Sequence, residues 1–172
     1  MSLNQFNHIT CFVFDVDGVL TDGSLWVMPG GVHVRKMNIK DGYALQLAVK
    51  KGYRILVISG GDSPEVKERL NKLGVTDVYM QVKDKLQLFN EWLATNSISA
   101  NECLYMGDDI PDMGLMRAVG MPCCPADAVQ EIKATALYIS VLKGGEGCVR
   151  EVIEKVMKLR DDWNDDFLVS AQ

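Results

Sequence analysis

The stretch from residue 12 to 22, Phe-Val-Phe-Asp-Val-Asp-Gly-Val-Leu-Thr-Asp, constrains the fold of this chain more than any other. A short apolar run bounded by turn residues reads as a strand buried on both faces, the kind found in a parallel sheet. The run breaks abruptly into Asp15 and Asp17, one residue apart, and then Gly18. Carboxylates at the C-terminal end of such a strand lie where open α/β sheets bind their ligands. Side chains two apart on a strand share a face. Asp15 and Asp17 can therefore address one metal or one phosphate, and their mutual repulsion calls for a cation or a proton between them. Taken alone, the same residues also fit an ordinary strand ending in an acidic Asp-Gly turn. The rest of the chain separates the two readings.

After a first strand over 10–16, two β-prone runs within 23–37 flank Pro29-Gly30-Gly31, a hairpin signal. Leu25, Trp26, Val27 and Val34 give this hairpin more apolar surface than a lone ribbon carries comfortably, so a partner for it is expected, for example a second subunit. A helical pattern follows Asp41-Gly42 and stops at Lys50-Lys51-Gly52. Residues 54–59 read as a buried strand ending at Ser59, followed by Gly60-Gly61. Ser63 and Pro64 are suited to the N-cap and first position of a helix reaching about residue 74. Strands are expected at 78–80, 103–106 and 121–124, with a last short one within 136–141. Helices are expected from Lys83-Asp84-Lys85 to Leu93, over 113–119, as a turn over 129–133, and over 147–160, with a frayed acidic tail from Asp161. Alternating strands and helices indicate an α/β fold: a doubly wound, Rossmann-like parallel sheet with a hairpin inserted after its first strand.

The length of 172 residues suits one domain spanning the chain, and 48% hydrophobic with 24% charged residues is ordinary for a globular protein. A net charge of −5 argues against a nucleic-acid-binding surface. The first ten residues lack the apolar core of a secretory signal, and no apolar run approaches the ~20 residues of a membrane span. The five cysteines, an odd number at irregular spacing with no C-x-x-C pair, read as free thiols in a reducing compartment. A cytoplasmic protein, with neither membrane nor nucleic-acid partner, is expected. His8 and His33 fall at no strand end, and the methionines read as core filling.

Polar residues recur where strands end: Asp15 and Asp17, then Ser59, then Asp108 and Asp109, with Lys85 opening a helix between the last two groups. In a doubly wound sheet these ends converge on one crevice. The set suits a phosphate ester. Carboxylates hold Mg²⁺, a hard cation with oxygen ligands. Lysine and metal neutralise phosphate charge, hydroxyl and N–H groups donate to its oxygens, and an aspartate can serve as nucleophile. Singly, Ser59 also reads as a strand-end cap, Lys85 as a solvated helix residue and Asp112 as a helix cap.

Together, in this order, Asp15-Val-Asp17-Gly-Val-Leu-Thr-Asp22, Ser59 after an apolar strand, Lys85, and Gly107-Asp108-Asp109-x-x-Asp112 resemble the haloacid dehalogenase superfamily of phosphotransferases. The resemblance is greatest to its small capless phosphatases of 2-keto-3-deoxy sugar acids. It extends to the hairpin, Lys40-Asp41-Gly42-Tyr43, Asp84-Lys85-Leu86 and Gly144-Gly145-x-Gly147-x-Val149-Arg150-Glu151, and so covers almost the whole chain. It implies that Asp15 is the nucleophile and that Asp17 is the acid and then the base. Mg²⁺ would be held by Asp15, the backbone carbonyl of Asp17, and Asp108, with Asp109 and Asp112 in support. Ser59 and Gly60 would hold the phosphate, and Lys85 would pair with both nucleophile and phosphate. After the motif-two glycine, the eight-carbon branch carries arginine and the nine-carbon branch glutamate. Gly61 here matches neither; Lys40 and Asp41, which follow the hairpin, are the candidate sugar contacts at the mouth, the other reading being an ordinary surface turn. The resemblance also implies a homotetramer built through the hairpins, with residues 144–147 and the tail reaching a neighbour's site. An eight-carbon sugar acid, the first expectation, would place the enzyme in lipopolysaccharide precursor synthesis. A nine-carbon substrate, or an idle phosphate-binding partner subunit, are the alternatives.

Overall fold

The computed structural model describes residues 3–163, so most of the predicted acidic tail lies outside the described residues. Six strands form one parallel sheet: β1 (Cys11–Phe14), β4 (Arg54–Ile58), β5 (Asp77–Tyr79), β6 (Cys103–Met106), β7 (Met121–Cys124) and β8 (Tyr138–Ile139). Their order is β5-β4-β1-β6-β7-β8, and every pairing is parallel. The chain winds outward one way from β1 and then the other, so β1 is the switch point, where a doubly wound sheet opens its crevice. β2 (Trp26–Val27) and β3 (His33–Val34) form the separate antiparallel hairpin.

All four residues of β1 are buried, and they alternate between two cores. Phe12 and Phe14 join the core beneath α1 (Ile39–Lys50), α2 (Pro64–Lys72) and α6 (Cys148–Leu159). Cys11 and Val13 join the one beneath α3 (Lys85–Asn96), α4 (Met113–Ala118) and α5 (Gln130–Thr135). This two-sided burial is why the strand reads as continuously apolar. All five cysteines are buried and free. Among the described residues no helix is long and apolar enough to cross a membrane.

Local signals placed most boundaries. The Ser63 hydroxyl accepts from the Val66 amide with Pro64 next to it, and the Asp84 carboxylate caps α3. Several elements differ from expectation. α1 begins at Ile39, ahead of Asp41-Gly42, because the Asn38 side chain accepts from the Lys40 amide at 2.9 Å. The last strand shortens to Tyr138–Ile139. An unanticipated 3-10 turn, Leu3–His8, carries Phe6 into the core, edge-on to Tyr138 at 5.6 Å.

Candidate active site

Asp15 follows β1, Ser59 follows β4, and Asp108 lies two residues beyond β6. Parallel strands end on one side, so these groups meet. They line a cavity of about 320 Å³ with Asp17, Gly60, Gly61, Lys85, Asp109 and Asp112. Nine of the eleven residues expected at the site are thus brought together.

Lys85 is its cationic centre. Its buried Nζ lies 2.9 Å from Asp15 Oδ1 and 2.7 Å from Asp112 Oδ1. Burial works against the ammonium, but these two carboxylates outweigh it and the lysine pKa is raised. Asp112 does more than cap a helix. Its Oδ1 also accepts from the Tyr105 hydroxyl at 2.6 Å, and its Oδ2 accepts the amides of Asp108 (2.9 Å) and Asp109 (3.3 Å). No side-chain cap bond joins it to α4. Asp109 instead caps the short turn Ile110–Asp112 through the Ile110 amide at 2.8 Å.

Carboxylate oxygens of Asp15, Asp108 and Asp112 all lie within 4.8 Å of one another. Both Asp112 oxygens are already committed, so Asp15 and Asp108 are the pair free to bind a cation. The buried Oδ1 of Asp108 has no hydrogen-bond partner, a cost that a metal would remove. Without a metal the repulsion appears as proton affinity. Burial, then the charge of Asp112, pushes Asp15 up to about 6 against the pull of Lys85. Burial, then Asp15, pushes Asp108 up to about 7. A hard divalent cation fits this donor set. Gly18 makes the approach possible, since at φ +85° it leaves open the place where a β-carbon would lie 2.1 Å from Asp108 Oδ2.

The buried Ser59 hydroxyl accepts from the Gly61 amide at 3.1 Å, which leaves its O–H to donate. The Gly60 amide has no partner among the described residues. Ser59 and Gly60 line the same cavity as Lys85.

Asp17 is held from an unexpected direction. Arg35, from the hairpin, donates to both of its carboxylate oxygens, at 2.6 and 3.2 Å. Arg35 and Tyr105 are the two functional side chains that sequence reasoning missed. Tyr105 was hidden as one more apolar-looking residue of a buried strand. For Arg35 the only signal was a basic residue in a hairpin next to an acidic loop.

Lys40 and Asp41 are not brought to the cavity. Lys40 is exposed beside α6. Asp41 is 2% exposed, and its Oδ1 accepts the Arg150 amide of α6 at 2.7 Å, so it ties α1 to α6. Burial pushes its carboxyl up to about 6. Residues 144–147 are held in their own chain. The Gly145 amide donates to the Val19 carbonyl at 2.9 Å, and a β-carbon on Gly144 would lie 1.9 Å from the Gly18 carbonyl oxygen. The glycines let this segment brace the acidic loop from behind.

A doubly wound sheet with an aspartate pair at its switch point, a serine at the next strand end and a buried lysine defines a phosphotransferase of the haloacid dehalogenase kind. No family model matches the chain. A 3-deoxy-D-manno-octulosonate 8-phosphate (KDO 8-phosphate) phosphatase of Yersinia pestis is 32% identical over 154 residues, 90% of this chain and 82% of that protein. A crystal structure of the Yersinia pestis phosphatase superposes with a TM-score of 0.90 at 31% identity, covering 93% of this chain and 86% of that one. A Moraxella catarrhalis phosphatase of the same name, solved with magnesium, phosphate and KDO, gives a TM-score of 0.89 at 30% identity, covering 93% and 92%. A haloacid dehalogenase superfamily (subfamily III A) hydrolase of Legionella pneumophila gives 0.89 at 30% identity, covering 92% and 87%. The chain belongs to this family of KDO 8-phosphate phosphatases, within the haloacid dehalogenase superfamily.

Proposed function

We propose that this chain is a Mg²⁺-dependent phosphomonoesterase that hydrolyses KDO 8-phosphate through an aspartyl-phosphate on Asp15. The observation that carries the reading is the buried Asp15, held by Lys85 at 2.9 Å in a cavity that Ser59 and Gly60 also line. Lys85 fixes Oδ1 and leaves Oδ2 for the phosphorus. Ser59 and the Gly60 amide hold the phosphoryl oxygens while Asp15 attacks and the bond to the sugar oxygen breaks. Asp17 gives its proton to that leaving oxygen. It then takes a proton from the water that attacks the aspartyl-phosphate, and inorganic phosphate and Asp15 are restored. When bound by Asp15, the Asp17 carbonyl and Asp108, Mg²⁺ supplies positive charge against the phosphoryl group. Asp112 keeps Lys85 charged and aimed, and Asp109 shapes the loop that carries Asp108.

The whole chain serves as one catalytic domain in this reading. It works in the cytoplasm, as five buried free thiols favour, and assembles as a homotetramer through the exposed apolar hairpin. Asp15→Asn tests the chemistry: kcat should fall by about 10⁴-fold or more, and near-normal turnover would refute the nucleophile. A panel of eight- and nine-carbon 2-keto-3-deoxy sugar acid phosphates, compared by kcat/KM, tests the substrate. Preference for the nine-carbon ester would reassign it. No turnover of any ester would leave the idle partner subunit.

A further inference from the structure

Among the described residues, three that are not glycine have a left-handed backbone: Gln81 (φ 57°), Ser97 (φ 55°) and Asp161 (φ 58°). Ser97 and Asp161 stand at the ends of α3 and α6, where this conformation is the ordinary way to stop a helix. Gln81 has no helix to end. It lies between β5 and α3, and a glutamine gains nothing from the conformation by itself. Its side chain is exposed, so the backbone around it must hold it there. Two hydrogen bonds do so. The Gln81 amide donates to the Gly61 carbonyl at 3.0 Å, and the Val82 amide donates to the Ser59 carbonyl at 2.9 Å. In an extended strand neighbouring amides face opposite ways; the turn at Gln81 sets both against one loop.

Ser59, Gly60 and Gly61 form the loop that lines the cavity beside Asp15 and Lys85. In a trans peptide the carbonyl and the N–H point in opposite directions. A Ser59 carbonyl held by Val82 therefore turns the Gly60 N–H away from the β5 side of the loop. In the sheet β4 lies between β5 and β1, so the other side is that of Asp15. The Ser59 amide is taken by the Tyr79 carbonyl at 2.9 Å and the Gly61 amide by the Ser59 hydroxyl, which leaves Gly60 as the one amide of the three without a partner among the described residues. We propose that Gln81 is a positioning residue for phosphate: its left-handed turn anchors the Ser59 and Gly61 carbonyls and so aims the Gly60 N–H at the phosphoryl group. The proposal rests on the reading of Ser59 and Gly60 as the groups that hold the phosphoryl oxygens. Gln81 itself touches no substrate, and its backbone rather than its side chain does the positioning.

The test uses the Mg²⁺-loaded protein with inorganic phosphate as the ligand. In the wild type, an NMR titration with phosphate should move the Gly60 amide far more than the amides of Gln81 and Val82, whose acceptors lie within the protein. If phosphate does not bind, or leaves Gly60 unmoved, the reading of the phosphate site has itself failed, a result visible before any variant is made. Shifts at Gln81 and Val82 as large as that at Gly60 would overturn the proposal alone, whether or not a variant folds. Gln81→Val places a branched side chain where the left-handed region tolerates it least. It should weaken phosphate binding, measured by calorimetry, by about tenfold or more, the size of one lost hydrogen bond to a charged group. KM for the ester should rise with it, while Mg²⁺ affinity measured without phosphate stays within about twofold of wild type. Gln81→Gly accepts the same turn without a side chain and should recover most of the loss. Phosphate affinity within about twofold of wild type in Gln81→Val would overturn the proposal. So would an equal loss in Gln81→Gly, since the side chain would then be at work, and so would a fall in Mg²⁺ affinity as large as that for phosphate, since the whole site would then have loosened.

Discussion

Asp15 and Trp26 are eleven residues apart and live under opposite conditions. Asp15 is buried among charges whose partners are almost all assigned, and Asp112 alone accepts four hydrogen bonds from Lys85, Tyr105 and two amides. Trp26 and Val27 are 69% and 71% exposed on a hairpin with two residues in each strand. The acidic shelf is finished within one chain, down to Gly144 and Gly145 bracing it from behind. The hairpin is an exposed apolar ribbon. Arg35 joins them through Asp17, and Lys36 through an ion pair with Asp22 at 2.7 Å. The same insertion that exposes this apolar surface also places a guanidinium against Asp17.

The contrast predicts where stability resides. The largest effect should come from the shelf. Asp112→Ala removes a buried acceptor of a buried lysine and strands the Tyr105 hydroxyl, which should cost about 3–5 kcal/mol in urea unfolding. A loss under about 1 kcal/mol would mean that Asp15 alone satisfies Lys85. Next is the metal. Asp15 near 6 and Asp108 near 7 bind protons more tightly folded than unfolded. The stability they add to the metal-free protein is complete below about pH 4 and lost as pH rises through 6 to 7. Mg²⁺ replaces those protons. At a hundredfold excess over its Kd at pH 8 it should stabilise by about 2.7 kcal/mol, and its effect on Tm should fade toward pH 5. A shift independent of pH would place the cation elsewhere.

The two regions also differed in how far the sequence revealed them. β1, β4, β6 and β7 were legible because two-sided burial writes a continuous apolar run. The convergence of Asp15, Ser59, Lys85 and Asp108 followed from the parallel order alone. Contacts across the chain left no such trace. Asp41 looked like a mouth residue beside Lys40, yet it serves the first turn of α6, 109 residues away. Arg35 meets Asp17 across 18 residues, and its contact depends on an absent side chain at Gly61. A missing atom that admits a distant guanidinium has no period and no local partner, so pattern reading passes over it. Tyr105 was missed for the opposite reason: its ring obeys the strand pattern and its hydroxyl does not.

That hydroxyl carries a smaller prediction. Tyr105→Phe keeps the ring, drops one of the bonds to Asp112 and should cost about 1–2 kcal/mol, with KM nearly unchanged and kcat lowered by loosened aim of Lys85.

The smallest effect on the fold should come from the hairpin. Trp26→Ser with Val27→Ser removes two side chains that touch little, so unfolding of the isolated chain, measured at a dilution where the wild type is monomeric, should shift by no more than about 0.5 kcal/mol. Light scattering on the same pair at working concentration should behave differently, with the wild type near four chains and the variant near one. A loss above about 1 kcal/mol in the monomer would show that the ribbon supports its own chain. An unchanged assembly would show that the copies meet on another surface. If instead the variant is monomeric and its turnover also falls, the neighbour is what holds the hairpin, and with it Arg35, in place against Asp17.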